Sequence, residues 1–190
     1  MGHYMDNISC DDLEHEIILH LLRDDTAHVR EIARNLEAPH STVSRKLHGL
    51  VKKNIVDCEK RGKNKVYFLK SNLSYRICMY NAERFKFLKL IKTYPEMKII
   101  LKDVLESTDK DLVVLFGSYA DFRADKDSDI DIYVEGTDQD IKEELENIHS
   151  KVNAKIGKFD PGESLIDEII KKHIILRGVQ RFYQHLNGFT

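Results

Sequence analysis

No stretch of the 190-residue sequence approaches the roughly 18 consecutive apolar residues a membrane helix requires, so a spanning protein is not expected. The opening residues, MGHYMDNISCDD, have neither the basic n-region nor the apolar h-region of a secretory leader, and the expected compartment is the cytoplasm. Cysteine is scarce. Cys10, Cys58 and Cys78 are odd in number, far apart and without a CxxC pair, which argues against a disulfide framework and against a thiolate zinc site; three ordinary reduced thiols are expected. An internal repeat, a low-complexity tract and a Walker-type glycine loop are missing as well. What remains is 42% hydrophobic and 33% charged, the composition of one or two small globular domains rather than a disordered or fibrous chain.

The net charge of −2 conceals an asymmetry. Residues 1–37 carry nine acidic side chains against Arg23, Arg30 and Arg34, whereas residues 38–70 carry nine basic ones against Asp57 and Glu59. The far end, 112–190, is acidic again. A basic module joined to an acidic one fits a chain that meets an anion at one end and holds a metal or a regulated site at the other.

Hydrophobic spacing organises the first module. DLEHEIILHLLRD places Leu13, Ile17 and Leu21 at helical intervals with acidic residues in the first turn, as the helix dipole favours. HVREIARNLE repeats the pattern with Val29, Ile32, Ala33 and Leu36. After Ala38-Pro39-His40, the segment STVSRKLHGLVKKN aligns Val43, Leu47, Leu50 and Val51 on one stripe, with Ser41 placed to cap its start. Arg45, His48 and Lys52 fall opposite that stripe, the layout of a recognition helix buried on one side and basic on the other. IVDCEKRGKNKVYFLK then reads as a hairpin with a basic tip.

Three short helices and a basic hairpin make a winged helix-turn-helix. Through EIARNL, STVSRKLHGLVKKNIV and KRGKNKVYFL, residues 10–70 resemble winged-helix transcription regulators of the multiple-antibiotic-resistance and arsenic-repressor type. The resemblance implies binding of double-stranded DNA, usually as a homodimer. It places Ser41, Thr42, Arg45 and His48 near base edges or phosphates, and Arg61, Lys63 and Lys65 on the backbone or in the minor groove. Lys52 belongs to the same DNA-facing set. A winged helix used for protein contact or dimerisation is the competing reading.

Residues 71–94 contain no glycine or proline, and Leu73, Ile77, Tyr80, Phe87, Leu88 and Ile91 approximate one apolar stripe of a long helix, broadened by Tyr75, Met79, Phe85 and Leu90. That surface calls for another domain or a second copy of the chain. PEMKIILKDVLEST follows as a shorter helix. The expected organisation is thus a DNA-binding domain over 1–70, a connecting helix over 71–96 and a second domain over 97–190.

The second domain carries DLVVLFGSYADFRADKDSDIDIYVEG. Leu112 to Phe116 is an apolar strand, and Asp129 to Val134 alternates as a half-exposed strand does, putting Asp129 and Asp131 on one face. Two carboxylates sharing a face repel unless a cation lies between them. Magnesium suits them, because it accepts one or two carboxylates and keeps positions for water and phosphate. Gly117 lets backbone approach a phosphate, and Ser118 offers an N–H and a hydroxyl.

Gly117-Ser118, ten residues and then Asp129-x-Asp131 resembles the motif of the DNA polymerase β-like nucleotidyltransferases, the minimal members most closely. The likeness covers about residues 97–186, helped by Ala120, Ala124, Ser128 and ESLIDEIIKKHIILRG. It implies an α/β domain with a mixed sheet, making the whole an α+β two-domain chain. It further implies up to two Mg2+ ions on Asp129 and Asp131, a nucleoside triphosphate on Gly117 and Ser118, and transfer of a nucleoside monophosphate to a hydroxyl, with the two aspartates catalytic. A HEPN-type partner protein is a further implication of the minimal members.

Two departures stand out. Asp121-Phe122 replaces the family's Arg-Gly pair, which removes a basic contact and a flexible turn. The later strand, VNAKIGKF, offers Asn153 or Lys155 where catalytic members supply a third carboxylate; Asp160 lies beyond it. A neutral amide can ligate a metal but cannot deprotonate an attacking hydroxyl. Three readings follow: a nucleotide-sensing DNA-binding regulator, an active nucleotidyltransferase recruited by its winged helix, and a non-catalytic repressor or antitoxin-like partner that keeps the fold. His15 and His20 are five apart, wrong for a zinc helix that needs four. His149, His173 and His185 and the acidic run Asp138 to Glu146 are expected to be structural or solvated, with KEELENIHSKV a surface helix.

Overall fold

A computed structural model of the chain describes residues 10–186. The leader region considered above, residues 1–9, lies outside them. The chain divides between Phe85 and Lys86 into two compact units.

In the first unit, α1 (Asp12–Asp24) starts at a reciprocal cap: the Glu14 amide donates to Asp11 Oδ1, and the Asp11 amide donates to Glu14 Oε2, both at 3.1 Å. A three-residue strand, β1 (Thr26–His28), leads into α2 (Val29–Asn35) and α3 (His40–Lys52). Strands β2 (Val56–Arg61) and β3 (Asn64–Leu69) form the hairpin. Its two-residue turn has positive φ at Gly62 alone, 63°, which is the type II′ requirement that glycine meets without strain. The sheet order is β1-β3-β2, antiparallel throughout. Ile17, Leu21, Ile32, Val43, Leu47, Leu50 and Ile55 form its buried core. Each such side chain stabilises by about 1.5–3 kcal/mol.

Ser41 does not cap α3. Pro39 holds the cap position with φ −58° and the helix already runs from His40, so Ser41 falls in the first turn. Strand β1 is too short to leave a periodic signature; it pairs with β3 and buries Ala27 in the core.

Helix α4 (Leu73–Thr93) buries part of its wide apolar surface and exposes the rest. Cys78 and Ala82 enter the first core and Leu90 the second, whereas Leu73, Ile77 and Leu88 are exposed. On a helix those three lie about 180°, 140° and 120° round from Ala82. Met79 and Leu90 are fully buried on the same helix as Cys78 and Ala82, so the buried residues include large and small ones.

The second unit begins with α5 (Met97–Glu106) and continues as β4 (Val113–Phe116), α6 (Gly117–Ala120), β5 (Ile130–Glu135), α7 (Asp140–Glu146), β6 (Val152–Gly157), α8 (Ser164–Lys171), β7 (His173–Arg177) and α9 (Val179–His185). The sheet order is β6-β5-β4-β7; β5 and β6 are parallel and the other pairs antiparallel, giving the mixed sheet. On one face Val113, Leu115, Ile130, Ile132, Val134, Ala154 and Ile174 meet Met97, Leu101 and Val104 of α5 and Ile141 and Leu145 of α7. On the other face, Tyr133 packs edge-on to Phe159, which packs on Phe182 of α9.

Strand β5 is therefore covered on both faces over most of its length, with Tyr133 1% exposed, and is not the half-exposed strand its alternation suggests. The exception is its first turn of chain. Helix α7 stops at Glu146, shorter than the amphipathic run, because Asn147 to Lys151 turn the chain into β6. Among the described residues no helix is long and apolar enough to cross a membrane.

Candidate nucleotide site and nucleic-acid interface

The second unit's open corner lies where β4 ends. Phe116 pairs with Asp131 across the β4–β5 ladder, and Asp131 pairs with Asn153 across β5–β6. Three chain segments thus converge on one carboxylate. Gly117, the residue after β4, has φ 71°, and a β-carbon there would overlap the Asp131 carboxylate. Glycine is required twice over, for its backbone conformation and for the space. Ser118 follows in the single turn of α6.

Asp129 is exposed and precedes β5, whose first paired residue is Ile130. Asp131 is half-buried in the strand itself. Asn153 Nδ2 donates a 2.8 Å hydrogen bond to Asp131 Oδ1. The register therefore decides between the two residues offered for the third position: Asn153 stands beside Asp131, while Lys155 stands beside Tyr133. Asp160 lies past the end of β6. Asp129 and Asp131 together give a hard-oxygen donor set of the size magnesium uses alongside substrate phosphates. Among the described residues no cluster of three metal-ligating side chains occurs.

Four further residues reach this corner. A cavity of about 410 Å³ is lined by Gly117, Ser118, Asp121, Arg123, Glu168 and Lys172. Asp121 Oδ2 accepts from Lys172 Nζ at 2.7 Å and pairs with Arg123. Arg123 and, from across the fold, Lys172 thus bring two cations to the cavity lining, both paired with Asp121. Phe122 keeps the turn, with φ 55°, a conformation that costs a bulky residue energy. Its ring packs against the core and lies 5.3 Å below the Lys89 ammonium. Arg123 and Lys172 were hidden in the sequence because neither belongs to the Gly-Ser or Asp-x-Asp spacing; the only signal was the charge reversal at Asp121.

The first unit sorts its cations. Ser41, Arg45, His48 and Lys52 are exposed along one face of α3, at intervals of four, three and four, with Thr42 half-buried beside them. Lys46, next to Arg45, instead pairs with Asp11, and Lys53 donates to Glu14 at 2.7 Å. Burial alone would lower the Lys53 pKa, but the Glu14 carboxylate outweighs it and raises it. Lys63 lies in the hairpin turn, flanked by Arg61 and Lys65, all exposed. Arg61 meets Glu59 at 2.6 Å, and Lys70 meets Asp57 at 3.4 Å. Among the described residues Arg45, Lys52, Lys60, Lys63 and Lys65 form no ion pair. They leave a basic helix face and a basic wing tip.

The model of the family described as "Polymerase beta, Nucleotidyltransferase" matches residues 99–180, and that of "Sugar-specific transcriptional regulator TrmB" matches residues 10–72. The chain joins a TrmB-type winged helix to a nucleotidyltransferase-fold domain. Among solved structures, reduced HlyU from Vibrio cholerae N16961 is similar over 36% of this chain and 70% of its own, at 24% identity and a TM-score of 0.33. TrmBL2, described as an archaeal chromatin protein with a novel mode of DNA binding, is similar over 90% and 72%, at 13% identity and a TM-score of 0.32. No curated protein matches the chain. In the nucleotidyltransferase-fold domain, Gly117, Ser118, Asp129 and Asp131 lie at the corner described above, and Asn153 holds the neighbouring strand position. In the winged helix, the Ser41–Lys52 face belongs to the third helix and Lys63 to the wing.

Proposed function

We propose that this protein is a DNA-binding regulator whose nucleotidyltransferase-fold domain takes a magnesium nucleoside triphosphate as an effector rather than as the donor in a transfer reaction. The observation that carries this reading is the hydrogen bond from Asn153 to Asp131. At the position beside the metal-binding aspartate there is a neutral amide, which accepts no proton from an attacking hydroxyl. Its N–H also occupies one oxygen of Asp131.

Asp129 and Asp131 would hold the magnesium ion, which on binding would neutralise part of the phosphate charge. The chain's own residues do the rest. Gly117 leaves room for backbone to approach an anion, Ser118 supplies N–H and hydroxyl donors, and Arg123 and Lys172 supply cations around Asp121. In the first unit, Arg45, His48 and Lys52 face outward for a major groove, and Arg61, Lys63 and Lys65 for the phosphate backbone. A homodimer would present two such faces to a two-fold symmetric site.

The test is calorimetric titration of MgATP, and then of other magnesium nucleotides, into the full chain and into Asp129→Ala/Asp131→Ala. Labelled nucleotide transfer and duplex affinity at fixed salt and free magnesium are measured in parallel. Binding lost in the double variant, no transfer, and a nucleotide-dependent change in duplex affinity support the proposal. Absence of binding to the wild-type chain overturns it. Transfer that vanishes in Asp129→Ala would instead make the protein an enzyme.

A further inference from the structure

The three cysteines, expected as separate thiols, are not equivalent in the fold. Cys10 and Cys78, 68 residues apart, approach to 3.7 Å between sulfurs. Cys10 immediately precedes the α1 cap residue and is partly exposed; Cys78 lies in α4, 1% exposed, and both belong to the core of the first unit. Cys58 is in β2.

We propose that Cys10 and Cys78 are a modification site: a dithiol that closes to a disulfide by exchange with a low-molecular-weight disulfide. Accessibility sets the order of events. The Cys10 thiol gives its proton to solvent and attacks a sulfur of the small disulfide, forming a mixed disulfide and releasing one small thiol. The Cys78 thiolate then attacks the Cys10 sulfur and the second small thiol leaves. Two protein thiols and one small disulfide become one protein disulfide and two small thiols, so atoms and electrons balance.

The arrangement favours the second step over accumulation of the adduct. The Cys78 sulfur already stands 3.7 Å from the Cys10 sulfur that it must attack, and the Lys53 charge, which does not depend on the Cys10 proton, favours the Cys78 thiolate. Closing 3.7 Å to a bond of about 2.05 Å needs only a small movement. Cys10 precedes the α1 cap residue Asp11 and lies outside the helix itself. The residue next to it, Asp11, and then Glu14 hold Lys46 and Lys53 of α3. The bond would therefore tie α4 to the segment that clamps the helix proposed to read DNA.

The experiment exposes the full chain to a series of glutathione and glutathione disulfide mixtures, quenches with an alkylating agent and measures intact mass and peptide linkage. The expected product has a single alkylated thiol at Cys58, a mass lower by about 2 Da before alkylation, and a Cys10–Cys78 peptide. Cys58→Ser is expected to form the same link. Cys78→Ser is expected to stop at one glutathione on Cys10, and Cys10→Ser, at the more exposed position, is expected to form no link. Three alkylated thiols across the series, a stable adduct on wild-type Cys10, or a link involving Cys58 would overturn the proposal. None of these outcomes depends on nucleotide binding.

Discussion

Asn153→Asp is the most direct probe of the nucleotide corner. The substitution is nearly isosteric and replaces the amide that donates to Asp131 at 2.8 Å with a second carboxylate. Losing a hydrogen bond to a charged acceptor costs about 1.5–3 kcal/mol. Two charges roughly 4 Å apart at an effective dielectric of about 20 repel by about 4 kcal/mol. Both positions are half-buried, so water screens the repulsion to about 1–2 kcal/mol. The sum is about 3 kcal/mol, with a ceiling near 4 kcal/mol, because beyond that one carboxyl protonates at pH 7 instead. Without divalent cation, the variant should therefore lose about 3 kcal/mol in urea unfolding followed by circular dichroism, the chain having no tryptophan. A cation between the carboxylates reverses the sign of the effect: magnesium at about a hundredfold its Kd should return about 2.7 kcal/mol. A variant as stable as wild type, or one whose loss magnesium does not relieve, would refute the placement of Asn153 at the third-carboxylate position.

Gly117→Ala should cost about 1–2 kcal/mol from the left-handed backbone alone and, by displacing the Asp131 carboxylate, abolish magnesium-nucleotide binding in calorimetry. Lys172→Ala should weaken MgATP binding about tenfold, while Asp121→Asn, which releases Arg123 and Lys172 from their carboxylate, should tighten it; equal affinities in both variants would remove the two cations from the site. In duplex binding measured across salt concentration, Lys63→Ala should lower the slope by about one, as loss of a phosphate contact does. Lys46→Ala should leave that slope unchanged, because Lys46 is committed to Asp11.

Local patterns foretold most of the elements that carry the sites. Val43, Leu47 and Leu50 repeat at helical intervals and are buried, and the Asp-x-Asp alternation is strand pairing seen from one side. Pairings between distant segments were not legible in the same way. Asn153 and Lys155 are both on the solvent-polar phase of β6, and only the parallel register with β5 sets Asn153 beside Asp131. Lys172 reaches Asp121 across 51 residues, and Cys10 reaches Cys78 across 68. Helix α4 carries apolar residues too widely for spacing to choose a face: Met79 and Leu90 are buried with Cys78 and Ala82, while Leu73, Ile77 and Leu88 are exposed. Sequence spacing likewise does not associate Arg123 and Lys172 with Asp121, whose carboxylate pairs with both.

The boundary between the two compact units falls within α4, between Phe85 and Lys86. One uninterrupted backbone ladder is thus anchored by Cys78 and Ala82 at one end and by Leu90 at the other. Amide protection along it is then governed by two different opening reactions, and deuterium uptake should change at a step in mid-helix rather than fade smoothly from both ends.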